Sequence, residues 1–252
     1  MTGGAGAARI GLFGGTFNPI HVGHLRAAEE VTELLGLERM VFVPAAQPPH
    51  KVPDRTHGQG DAIAPADARL AWVRAATRDN PRFAVDALEL ERQGPSYSVD
   101  TVREMTARAS PGSCVFVIGR DAFVELASWR EPRELLRLAH FAVTTRPPAN
   151  GGSLARWLPP ALAEDFVLAP DGRSARHRTA GTWIRALEIT ALDVSSSDIR
   201  ARLRAGRSVR YLLPESVHAD VVRSGLYGSA ASPHPSAAGG SPTPAPASPE
   251  HP

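Results

Sequence analysis

This 252-residue chain is short of several things, and each shortage closes off a class of protein. Cysteine occurs once, at Cys114, so no internal disulfide framework can form and a reducing compartment is expected. Lysine also occurs once: of 28 basic residues only Lys51 is not arginine. Neither charge sign dominates, with 28 basic against 26 acidic residues and a formal net charge of +2, which argues against a nucleic-acid-binding surface. No apolar stretch approaches the roughly 20 residues needed to span a bilayer, and Met1 to Ala8 lack the charged start and apolar core of a secretory signal. The expectation is a cytoplasmic protein with no membrane contact. The Gly-x-Gly-x-x-Gly fingerprint is absent too, which disfavours a redox dinucleotide enzyme.

Between the two ends, apolar runs alternate with helical patterns. Strands are expected at 9–13, 39–44, 83–90, 114–118, 140–145, 165–169 and 187–193. Helices are expected at 21–35, 65–79, 98–109, 121–127, 131–138, 196–205 and 214–224. Strand and helix in alternation predict an α/β fold, a Rossmann-like doubly wound parallel sheet with helices on both faces. In such sheets the ligand lies beyond the carboxyl ends of the strands. Residues 9–227 have a size suited to one domain. Residues 1–8 and the Ser/Pro/Ala/Gly-rich tail 228–252 carry too little apolar surface to offset ordering entropy and are expected to be disordered. The stretch 171–181, rich in Arg, Ser and His, shows no periodicity and reads as an exposed loop.

The most informative segment is Ile10 to His24, IGLFGGTFNPIHVGH. Its short apolar strand suits the edge of a parallel sheet buried on both faces. Gly14 and Gly15 allow a sharp turn and close approach to a ligand, and Pro19 takes the chain out of the sheet toward a helix. His21 and His24, three apart, share a face of that helix near its first turn, where unpaired N–H groups and the dipole favour an anion. Such a pair could equally be a surface accident or half of a zinc site. Zinc lacks partners, because Cys114 lies in the apolar run of a core strand.

Four further clusters follow strands. Ser195, Ser196, Ser197 and Arg200 open a helix and offer hydroxyls, N–H groups and a guanidinium to phosphate; an ordinary capping box is the alternative. Pro48, Pro49, His50 and Lys51 place the lone lysine in a proline-stiffened loop. Tyr97 and Ser98, in the run from Arg92 to Thr101, could hold a planar polar ring, although Ser98 could equally be a helix N-cap. Gly119, Arg120 and Asp121 offer a carboxylate for ribose hydroxyls, with Trp129 eight residues on as a stacking surface or a core residue.

Together these motifs resemble the bacterial nicotinate-nucleotide adenylyltransferases of the HxGH-bearing nucleotidyltransferase superfamily, from about Arg9 to Tyr227. The resemblance rests on Gly14 to His24, Pro48 to Lys51, Gly94 to Thr101, Gly119 to Trp129 and Ser195 to Arg200. The first and last mark the superfamily; the middle three point to nicotinate nucleotide. The resemblance implies transfer of AMP from ATP to nicotinate mononucleotide, giving nicotinate adenine dinucleotide and pyrophosphate, with Mg²⁺ accompanying ATP. It implies that Gly14, Gly15, Thr16, Phe17, His21, His24, Ser195, Ser196, Ser197 and Arg200 bind ATP, with His21, His24 and Arg200 catalytic. It places the nicotinate ring between Tyr97, Ser98 and Trp129, a ribose or metal-linked network at Asp121, and the acceptor phosphate at His50, Lys51 and Arg146. Four positions depart from the family pattern. Asn18 stands for Asp, Arg120 for a small residue beside the ring pocket, and Ser98 and Ser197 for Thr.

Competing readings are the same transfer onto nicotinamide mononucleotide or a pantetheine phosphate, a nucleotide-binding module without turnover, and a tRNA-linked synthetase domain. The last is disfavoured by length and balanced charge. Monomer and homo-oligomer stay equally open.

Overall fold

The computed structural model describes residues 9–47, 63–108, 112–145, 153–190 and 192–228. His50, Lys51 and Arg146, and both terminal segments expected to be disordered, lie outside them apart from Gly228.

Eight strands form one sheet: β1 (Ile10–Gly15), β2 (Arg39–Pro44), β3 (Phe83–Val85), β4 (Cys114–Gly119), β5 (His140–Thr145), β6 (Phe166–Leu168), β7 (Ser174–His177) and β8 (Trp183–Glu188). Their order is β3-β2-β1-β4-β5-β8-β7-β6. The first six run parallel, and β7 and β6 add an antiparallel extension beyond β8. The ten helices among the described residues are α1 (Val22–Leu35), α2 (Ala66–Thr77), α3 (Leu88–Glu91), α4 (Ser98–Arg108), α5 (Arg120–Val124), α6 (Pro132–Leu138), α7 (Leu154–Trp157), α8 (Pro160–Ala163), α9 (Ser196–Arg204) and α10 (Glu215–Ser224). None is long and apolar enough to cross a membrane.

Adjacent strand residues point to opposite sheet faces, and here both faces are buried. Val43, Phe116, Ile118 and Phe141 join α4 and α6 in one core cluster. Phe42, Val115, Val117 and Ala142 join α1, α2, α9 and α10 in the other. Near-continuous apolar strands such as VFVIG of β4 follow from this double burial.

Four sequence expectations are corrected. β1 is not at an edge; it lies between β2 and β4. The strand expected over 83–90 ends at Val85, because Asp86 accepts the Leu88 N–H at 2.9 Å and starts the short turn α3. The strand expected over 187–193 is Trp183–Glu188, where Arg185 and Glu188 on exposed positions hid the pattern. The stretch 171–181 is not a loop throughout: it contains β7, with Ala175 and His177 buried and Arg176 exposed between them, the alternation of a half-solvated antiparallel strand.

Candidate active site

The carboxyl ends of β1, β2 and β4 converge on a loop, Thr16 to His21, that leads into α1. The Asn18–Pro19 bond is cis and Phe17 sits at φ 46°, a left-handed conformation costing a bulky residue about 1–3 kcal/mol. Packing holds it there. The Phe17 ring is 2% exposed and lies edge-on to Phe13 and to the His24 ring, with centroids at 5.9 and 5.2 Å.

His21 is the N-cap of α1, and the His24 ring, three residues on, returns a hydrogen bond to it. His24 Nδ1 accepts the His21 backbone N–H at 3.2 Å, so a neutral His24 carries its proton on Nε2. The two imidazoles stack at 3.7 Å. Gly23 between them is required by a close approach: a Cβ there would lie 2.8 Å from Val194 Cγ1 and 3.1 Å from the His21 ring. Val194 immediately precedes Ser195, the N-cap of α9, so this glycine lets the starts of α1 and α9 touch.

Two polar contacts tighten that junction: Ser196 Oγ donates to the Pro19 carbonyl at 2.9 Å, and Arg200 donates to the Asn18 carbonyl at 2.8 Å. Within α9, Ser195 caps the helix by accepting the Asp198 N–H at 3.1 Å. Arg200 is 6% exposed and also donates to Ser197 Oγ at 3.2 Å. Ser195 and Ser197 stay exposed. The structure thus brings His21, His24, Ser195, Ser196, Ser197 and Arg200 together, with Arg200 serving the loop from beneath.

Beside this junction lies a cavity of about 320 Å³ lined by Gly14, Gly15, Thr16, Tyr97, Ser98 and Trp129, among others. Trp129 stands perpendicular to Phe116 at 6.3 Å. The glycine turn and the ring-binding residues therefore share one space. Asp121 does not line it: its side chain is 94% exposed and pairs with Arg120 at 3.1 Å. Asn18 is buried, its Oδ1 accepting the Ala64 N–H at 2.9 Å and the Tyr227 hydroxyl. Burial pushes the Tyr227 hydroxyl up, keeping it a donor.

Sequence patterns missed three supports. Arg69, 1% exposed, donates to the carbonyls of Thr16 and Ala45 at 2.7 Å each, Ala64 at 2.9 Å and Ala46 at 3.3 Å. It ties together the chain ends that follow β1 and β2 and precede α2; desolvation lowers its pKa. One signal was readable: Arg69 falls on the buried stripe of α2 with Trp72 and Val73, where an arginine needs a partner. Glu89, also in the cavity wall, accepts the Thr101 hydroxyl at 2.6 Å. Burial raises its pKa, against the pull of the Thr101 and Ser96 hydroxyls and Arg92. Ser96 Oγ in turn accepts the Ala46 N–H at 3.0 Å. Arg130 lines the same cavity, its guanidinium 4.7 Å above the Tyr97 ring.

Among the described residues, no group of three or more His, Cys, Asp or Glu side chains could hold a metal ion. The described part of the site offers anion donors and a ring cavity, not a metal cage.

A cavity at the carboxyl ends of a parallel sheet, next to the loop on which two helix starts meet, is the layout of a nucleotide-handling enzyme. The cytidylyltransferase-like family model matches residues 12–202. Among curated relatives, the "Probable nicotinate-nucleotide adenylyltransferase" of Citrifermentans bemidjiense is 42% identical over 87% of this chain and 98% of its own length. That of Halorhodospira halophila is 44% identical over 87% and 95%. The chain belongs to the nicotinate-nucleotide adenylyltransferase family within the cytidylyltransferase-like group. In fold it is similar to the Plasmodium falciparum nicotinic acid mononucleotide adenylyltransferase complexed with NaAD, at TM-score 0.64 and 14% identity over 87% of this chain and 97% of that one.

Proposed function

We propose that this enzyme transfers the adenylyl group of ATP to nicotinate mononucleotide, giving nicotinate adenine dinucleotide and pyrophosphate in NAD biosynthesis, in the cytoplasm. The observation that carries this is the meeting of two helix starts, at Gly23 and Val194, beside an aromatic-walled cavity. One feature suits a triphosphate and the other a planar ring.

The acceptor phosphate is the nucleophile. Its second pKa is about 6, so it is largely ionised at pH 7 and needs no strong general base. It attacks the α-phosphorus of ATP, the bond to the β-phosphate oxygen breaks, and pyrophosphate leaves with the electron pair. The protein's work is to align these groups and to neutralise developing charge; alignment alone can supply roughly 7–11 kcal/mol. His24 Nε2–H and His21 donate to the phosphates, with Ser195, Ser197 and the N–H groups at the start of α9; at the start of α1 the Val22 and His24 N–H groups already donate to the Leu212 and His21 carbonyls. Gly14, Gly15 and Thr16 give the nucleotide a bare backbone edge. Arg200 and Ser196 act chiefly by holding the Asn18–Pro19 turn in place. Tyr97, Ser98 and Trp129 frame the nicotinate ring, while His50, Lys51 and Arg146 serve the acceptor phosphate. A Mg²⁺ ion accompanying ATP would supply neutralisation of phosphate charge and would need no carboxylate cage from the protein.

The test is pyrophosphate release from ATP with nicotinate mononucleotide, nicotinamide mononucleotide and a pantetheine phosphate in turn. Release with the first is expected to exceed the others. Equal use of nicotinamide mononucleotide overturns the acceptor assignment, and ATP binding without release overturns catalysis.

A further inference from the structure

The ring cavity holds two side chains of opposite formal charge, Glu89 and Arg130. Glu89 is pinned in the wall, 6% exposed, by the hydroxyls of Thr101 and Ser96. Arg130 sits at the rim with its side chain half exposed and its guanidinium over Tyr97. Its acidic neighbour Glu131 is 3.5 Å away and itself 46% exposed, a geometry worth little in solvent. The Tyr97 hydroxyl is its other hydrogen-bond partner, and a ligand carboxylate at the rim would compete with that hydroxyl and with Glu131 for the guanidinium. Arg120, the cation that the sequence placed beside the ring pocket, pairs with Asp121 and does not line the cavity.

We infer that Arg130 is a specificity-determining residue that reads the acidic group on the acceptor's ring, favouring a pyridine carboxylate over the corresponding amide. The inference rests on the proposed adenylyl transfer to a nicotinate nucleotide. A planar guanidinium matches the two oxygens of a carboxylate in a bidentate, charge-assisted pair, whereas an amide offers one acceptor and no charge. Glu89 makes this cation matter more: its carboxyl is already committed to the Thr101 hydroxyl, and Arg130 is the one formally positive side chain in the described wall. Chain position helps too: Arg130 directly follows Trp129, so one short segment delivers both an aromatic wall and the cation.

The experiment measures kcat/KM for pyrophosphate release with nicotinate mononucleotide and with nicotinamide mononucleotide in wild type, Arg130→Ala, Arg130→Lys and Arg120→Ala. For Arg130→Ala the acid-to-amide ratio should fall about tenfold, the low end for a hydrogen bond to a charged group, chiefly through a higher KM for the acid. Arg130→Lys should keep part of the preference, since it keeps charge and loses the fork. Arg120→Ala should leave the ratio unchanged. Arg130 is exposed, so an unaltered melting curve separates lost recognition from lost folding. An unchanged ratio in Arg130→Ala, or a shift in Arg120→Ala instead, overturns the inference. A wild-type protein that releases pyrophosphate with neither nucleotide overturns the function beneath it, and the inference with it.

Discussion

The two ends of the sheet use histidine in opposite ways. At the amino end, His140 opens β5 with both ring nitrogens engaged by backbone: Nε2 lies 3.0 Å from the Gly112 carbonyl and Nδ1 accepts the Trp183 N–H at 3.1 Å. The ring stacks on Trp183 at 4.5 Å and 7°. One neutral tautomer satisfies both bonds, and there is no acceptor for a further proton. At the carboxyl end, His21 and His24 stack on each other where two helix starts meet, and one backbone N–H orients His24. A histidine saturated by backbone is a structural element. A histidine oriented at one nitrogen beside an anion-favouring helix start is placed to act.

The widest test of this contrast is on what supports the carboxyl end. Arg69→Met strips four backbone carbonyls of their donor, two of them at 2.7 Å. With charged hydrogen bonds contributing about 1.5–3 kcal/mol each and not adding fully, the loss should be about 3–5 kcal/mol in denaturant unfolding. A variant as stable as wild type means those carbonyls are otherwise satisfied and Arg69 is not the tie.

His24→Ala probes the acting histidine itself. Turnover should fall ~10²–10³-fold, as when one preorganised donor to developing charge is removed, while unfolding free energy drops only by the ~1 kcal/mol of a lost capping bond. Wild-type turnover in the variant removes His24 from the mechanism and erases the distinction between the sheet's two ends.

His140 should reveal itself in stability against pH. Burial, followed by the arginines at 9, 185 and 176, depresses its pKa to about 4 from an ordinary 6.5. Between those values the unfolded chain binds a proton that the folded one refuses, so acidification favours unfolding. Its contribution is intact above about pH 6.5 and is lost as pH falls toward 4, at about 1.4 kcal/mol per pH unit and about 3 kcal/mol in all. Glu89 opposes this: its raised pKa makes the folded state the better proton binder, so its own contribution grows on acidification. The difference between wild type and His140→Gln, followed by denaturant midpoints from pH 7 to 4, isolates the histidine. Parallel curves would mean that His140 titrates normally.

The legible parts were those where local chemistry and packing agree. The strands at 39–44 and 140–145 lie where expected because a strand buried on both faces reads as a continuous apolar run. The helix starting at Ser196 declares its N-cap in Ser195. β7 and β8 did not read as strands in place, because Arg176, Arg185 and Glu188 occupy exposed positions, and strands in or bordering the antiparallel extension carry mixed side chains. At the site, the motif residues could be named from sequence, but their separation into actors and supports could not. That Arg200 and Phe17 turn inward depends on 182-residue and 25-residue separations closing in space: Arg200 to Asn18 for one, Phe17 to Phe42 for the other. Arg130 stayed hidden for a related reason, since a surface arginine has no periodicity to betray the aromatic ring across from it.

The smallest effect asks how far the phosphate loop depends on distant chain. Tyr227→Phe removes one of the two donors that Asn18 Oδ1 accepts and keeps the ring that packs against Trp72 at 6.0 Å. The Ala64 N–H remains at 2.9 Å, so the buried oxygen is not orphaned. The expected cost is about 1 kcal/mol in thermal unfolding, the net worth of one neutral hydrogen bond. Turnover should change far less than in His24→Ala, because Arg69 still holds Thr16 and Arg200 still holds the Asn18 carbonyl. If Tyr227→Phe instead matched His24→Ala in turnover, the loop's position would depend on that one hydroxyl, and the carboxyl end would be as rigidly specified by backbone-remote contacts as the amino end is by the two bonds of His140.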